Sequence, residues 1–138
     1  MLRNPFIDEE FVPDPTWFIG VFNVYDREET LGLELDCYDP NDKNDRKELI
    51  KKYSLDLDCL SYRHKFVLVE SLADRLINEN YDFQKLFEID EDAASSWPRD
   101  EWYELENPRE FFQDVYKLAK EIWKTDLLKA SAEDRSTW

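Results

Sequence analysis

Between residues 16 and 25 the chain reads TWFIGVFNVY, with β-branched and aromatic side chains at both alternating sets of positions. That pattern predicts a strand covered on two faces. After a polar connection at 26–30, Leu31, Leu33, Leu35 and Cys37 alternate with Gly32, Glu34, Asp36 and Tyr38. Period two with one apolar side predicts a strand with one buried and one wet face. The five-residue connection joins the two runs as a β-hairpin. Leu55, Leu57 and Cys59 alternate again, as a third short strand or an extended link.

From about Tyr62 the period changes. Phe66, Val69, Leu72, Ala73, Leu76 and Ile77 fall at helical spacing, which predicts a helix to about Asn78. A second long helix starts at Asn107-Pro108. Asn107 is suited to cap it, Pro108 to its first turn, and Glu110 to close the box. Phe111, Phe112, Val115, Leu118, Ala119 and Ile122 form its apolar stripe, and the pattern carries it to Leu128. Shorter helices are expected from a capping box at Asp45 and Glu48 to about Tyr53, and after Asp82, holding Phe83, Leu86 and Phe87. Residues 1–15, with Pro5, Pro13 and Pro15, read as an irregular segment resting on the domain through Phe6, Ile7, Phe11 and Val12. The expected fold class is α+β: an N-terminal antiparallel β-hairpin or small sheet packed against several helices, two of them long, at about 62–79 and 108–128.

The length of 138 residues and the 42 % apolar content place all of this in one domain, 1–138, with ample material for a core. Cys37 and Cys59 lie in the alternating runs and read as small core residues, without the spacing of a zinc site. No apolar run is long enough for a signal peptide or a membrane helix, so the expected compartment is the cytoplasm.

Charge changes the picture more than length does. Thirty-three acids against 18 Lys and Arg leave a net charge of −15. Nucleic acid and anionic membrane are disfavoured as partners, and a basic protein is favoured. Chemistry is sparse. His64, between Arg63 and Lys65, reads as an exposed histidine with no task. Gly20 and Gly32 both fall in expected strands, so no glycine-rich phosphate loop is present. Asp39-x-Asn41 with Asp45 lacks the loop glycine and the bidentate Glu of a calcium loop. No catalytic residue, cofactor or metal site is assigned.

The remaining signal is residues 88–106, EIDEDAASSWPRDEWYELE, with eight acids, one arginine and three aromatics. A connection of this length inside a compact domain is often functional. Aromatics ringed by polar groups are typical of interface anchors. The expected partner-binding residues are therefore Asp90, Glu91, Asp92, Trp97, Asp100, Glu101, Trp102, Tyr103 and Glu104. The competing reading has Trp97 and Trp102 pinning the loop to the core while the acids are merely solvated.

As a whole-chain profile, the two alternating runs, this acidic-aromatic segment and the Phe/Leu-striped last helix resemble bacterial cytoplasmic immunity proteins of contact-dependent growth inhibition and related toxin systems. The resemblance implies a protein that neutralises a toxin domain, such as a basic nuclease, by covering its substrate path. The alternatives are a nucleic-acid mimic or other acidic regulator, and a small enzyme.

Overall fold

A computed structural model describes residues 2–88 and 96–138 of the chain. Its helices are α1 (Leu33–Leu35), α2 (Lys43–Leu49), α3 (Tyr62–Ile77), α4 (Pro108–Ile122) and α5 (Lys124–Ser131), joined by 3₁₀ and π-helical turns. Among the described residues there is no strand, only one isolated antiparallel bridge between Arg3 and Glu10. The fold is all-helical, and the expected α+β class with its N-terminal hairpin is overturned.

The first expected strand is two consecutive 3₁₀ turns, Pro15–Phe18 and Gly20–Phe22. The Asp14 carboxylate accepts the Thr16 N–H at 2.9 Å, and Pro15 opens the first turn. Both are helix-start signals that lie just ahead of the aromatic run. Phe18, Ile19 and Phe22 are all buried. A chain that must turn every three or four residues can direct these three inward together. The second expected strand is a π-helical turn, Glu28–Gly32, followed by α1. Here Leu35 is buried, whereas Leu33 is 65 % exposed and Cys37 points to solvent. Leu31, Leu35 and Tyr38 carry the contacts to the core instead, at i, i+4 and i+7. Residues 55–61 are an irregular link in which Leu55 and Leu60 are buried and Cys59 is exposed. Both cysteines are thus surface thiols, not core residues.

The helical expectations fare better, with shifted details. Helix α2 is capped by Asp42, whose carboxylate accepts the Asp45 N–H at 3.0 Å, three residues earlier than the expected box. Asp45 accepts the Asp39 N–H instead. The helix continues as a π-helical turn, Ile50–Ser54. Tyr53 donates its hydroxyl to Glu34, and burial together with that carboxylate pushes the phenol above its ordinary range. Helix α3 is capped by Ser61, and α4 by Asn107 with Pro108 in its first turn. Helix α4 ends at Ile122, which is 50 % exposed, and Trp123 takes the buried position at the junction with α5.

His64 has a task. Its Nδ1 closes the capping box at the start of α3, and its Nε2 lies 2.7 Å from the Arg3 carbonyl. With the proton on Nε2, one ring satisfies both. The imidazole also meets Phe11 edge-on at 4.8 Å, so it ties the N-terminal segment down.

The core is aromatic. Phe22, Phe87, Trp97, Trp102, Phe111 and Phe112 pack at tilted or edge-on angles, with Trp97 stacked on Trp102, and ring centroids 4.7–6.4 Å apart, the geometries that ring quadrupoles favour. Two arginines hold the frame around it. Arg46 is buried between α2 and α4, donating to Asp114 at 2.8 Å and Glu110 at 3.0 Å. Arg109 donates to the carbonyls of Leu76, Asn78, Glu79 and Tyr81 and covers the Phe83 ring, which fastens the chain after α3 to the start of α4.

Candidate interaction surface

Residues 96–106 form a laced strap rather than a free loop. Trp97 and Trp102 are both buried, Trp102 completely. The Trp97 indole N–H donates to the Phe87 carbonyl at 2.7 Å. Buried tryptophans with these neighbours are core residues, so neither can be an exposed anchor for a partner. The 3₁₀ turn Asp100–Tyr103 carries Trp102 on its buried side and leaves Asp100 exposed and Glu101 partly so.

Backbone and side-chain hydrogen bonds then fix the strap to distant parts of the chain. Val24 N–H donates to the Ser96 carbonyl at 2.8 Å, and Ser96 N–H to the Asn23 side chain at 3.1 Å. Gln84 accepts the Leu105 N–H at 2.8 Å and donates to the Tyr103 carbonyl at 3.1 Å. Asn41 accepts the Glu106 N–H at 3.0 Å. Arg99 reaches the Asp36 carbonyl at 3.0 Å and grips Glu101 with two nitrogens, each at 3.1 Å. The paired geometry raises the Arg99 guanidinium above its ordinary value and holds the Glu101 carboxyl below the usual carboxylate range.

The result is an acidic surface assembled from two stretches that are far apart in sequence. Residues 23–42 hold seven acids and one arginine, residues 96–106 four acids and one arginine, and of the first stretch Asp36 and Asp39 lie near Arg99. Asp36, Asp100 and Glu101 border a shallow depression of about 450 Å³, with Arg99 and Pro98 between them. Glu104 is exposed beside them, and Tyr103, 44 % exposed, is the aromatic that the strap presents to solvent. Its hydroxyl accepts the Trp97 N–H at 3.3 Å, which holds the ring in place.

Of the expected partner-binding residues, the structure therefore places Asp100, Glu101, Tyr103 and Glu104 at the surface and Trp97 and Trp102 in the core. Asp90, Glu91 and Asp92 lie outside the described residues. The sequence reading missed the contribution of Asp36, Asp39 and Asp42. Their charge was visible, but the pairing of Asn41 with Glu106 and of Asp36 with Arg99 has no local signature. No group of three or more His, Cys, Asp or Glu side chains that could hold a metal ion occurs among the described residues. No described helix is long and apolar enough to cross a membrane. No family model matches the chain, nor does any curated protein or any solved structure.

Proposed function

We propose that the protein binds a basic protein partner through the surface formed by residues 23–42 and 96–106, and neutralises it by covering its substrate path. The observation that supports this reading is the lacing of the strap. Six hydrogen bonds to the 23–24, 36, 41 and 84 positions hold Asp100, Glu101 and Glu106 beside Asp36, Asp39 and Asp42. Acids that only kept the chain in solution would need no such scaffold. A held, predominantly acidic face steers an oppositely charged partner and raises its rate of association. Pre-organised groups also lose little entropy on binding. A cytoplasmic immunity protein facing the basic groove of a delivered nuclease domain is the setting that this chemistry fits best.

The test uses a basic protein captured by the full chain and identified. Asp100→Lys with Glu104→Lys should slow association by about tenfold at low salt, and the difference should shrink as salt is raised. Tyr103→Ala should instead speed dissociation. If both variants bind the captured protein with unchanged rates at low ionic strength, this surface is not the interface.

A further inference from the structure

A cluster of positive charge lies elsewhere. Lys43, Lys47 and Lys51 follow one another at i, i+4 and i+8 along α2 and its π-helical continuation. With Lys117 of α4 they line a partly open hollow of about 240 Å³, whose other walls are Asp114, Leu118 and Glu121. We propose that this hollow is a binding site for a small polyphosphate anion, held by the four lysine ammonium groups.

Three observations carry the assignment. First, acids outnumber Lys and Arg by 33 to 18, so a carboxylate is easy to find, yet among the described residues none of these four lysines forms an ion pair or a hydrogen bond. The adjacent Lys52 does, with Glu48. Second, Asp114 is already engaged by the buried Arg46 at 2.8 Å, which it shares with Glu110, so the walls set four ammonium groups against two carboxylates, Asp114 and Glu121. Third, like charges at i, i+4 on a helix repel, and here the repulsion is doubled along one stripe and faces a further lysine across the hollow. A compact anion of three or more negative charges relieves all of it at once. All four lysines are exposed, so the attraction is open to screening by salt. Lysine serves phosphate as a mobile point charge, which suits a cluster of four tips around a small space.

Phosphate groups could also come from a nucleic-acid backbone. The net charge of −15 argues against it, since phosphates beyond the hollow would meet an acidic surface. A small ligand keeps its charge inside the hollow.

The experiment is calorimetric titration of the full chain with sodium tripolyphosphate at low ionic strength, alongside a thermal melt with and without it. The expected result is one ligand per chain, a raised melting temperature and affinity that falls with added salt. Lys47→Gln with Lys117→Gln should weaken binding by about tenfold or more, because two charge-assisted contacts are lost. Both positions are exposed and glutamine suits a helix, so the ligand-free variant should melt at or above the wild-type temperature. Lys120→Gln with Lys124→Gln, away from the hollow, should bind as the wild type does. The proposal is overturned if tripolyphosphate at millimolar concentration gives neither heat nor stabilisation, or if the Lys47/Lys117 variant binds equally well. Citrate binding as tightly would overturn the phosphate assignment. A short oligothymidylate binding more tightly than tripolyphosphate would overturn the small-ligand assignment in favour of a nucleic-acid backbone.

Discussion

Replacing Trp102 by alanine separates the structural role of the strap from its role in recognition. The indole is fully buried and packs against Phe22 at 4.7 Å, Phe87 and Phe111 at 5.8 Å and Trp97 at 6.4 Å. A buried tryptophan removes about 150–250 Å² from water, which at about 25 cal/mol per Å² corresponds to about 4–6 kcal/mol. Measured aromatic-to-alanine losses in cores run at about 3–5 kcal/mol, because the cavity collapses only in part. The indole N–H has no hydrogen-bond partner among the described residues, so no hydrogen-bond loss is added. A loss of about 4 kcal/mol is a large share of the roughly 5–15 kcal/mol that holds a domain together. In urea denaturation followed by far-ultraviolet circular dichroism, with a slope of about 1–3 kcal/mol per molar, the midpoint should fall by about 2 M with the slope unchanged. Tyr103→Ala, one residue along, removes a half-exposed ring and should cost about 1 kcal/mol or less. A Trp102→Ala loss below about 1 kcal/mol would refute the aromatic core described above. In a binding assay, Trp102→Ala should act only through the folded fraction, whereas Tyr103→Ala should act with the domain intact.

Arg109→Ala leaves four carbonyls without their shared donor and should destabilise by about 1–3 kcal/mol in the same assay; Arg109→Lys should recover only part, because an ammonium cannot reproduce the planar fork. The Glu133 carboxyl is held below its ordinary value by Arg63, which donates at 2.8 Å, and by the Tyr62 hydroxyl at 2.6 Å. Its contribution to stability is therefore complete above the unfolded carboxyl value of about 4.3 and disappears as pH falls through the lower folded value. The stability gap between wild type and Arg63→Gln should accordingly narrow as pH falls below about 4.3, and a gap that widens on acidification would contradict the pairing. Cys37 and Cys59 are both exposed and free, so both thiols should react with a disulfide reagent without denaturant, and a silent thiol would contradict that placement.

Helix starts were legible where a cap and its partner lie within four residues. Asn107-Pro108 before α4, Asp82 before the Phe83–Phe87 turn and the switch to helical spacing at Tyr62 all depend on near neighbours, and all three stand. The same kind of signal was present at Asp14-Pro15 and was outweighed by the β-branched and aromatic run behind it. The 31–38 stretch fits two templates, because Leu31, Leu35 and Tyr38 match a helical face while Leu31, Leu33, Leu35 and Cys37 match a strand. Period two over so short a window cannot decide between them. With no partner strand among the described residues, the helical template won.

The acidity of the chain, and its density near 100–106, were also legible, since charge is additive along a sequence. Which residues share a face was not. Asp36 meets Arg99 and Asn41 meets Glu106 only after the helices have packed. Trp97 and Trp102 became core residues because Phe22, Phe87 and Phe111, up to 80 positions away, form a cavity of matching shape. Caps and helical stripes follow from forces acting within a turn or two of chain. Burial of an aromatic, and the side of the molecule on which a carboxylate ends, follow from close packing between distant segments, which no local pattern encodes.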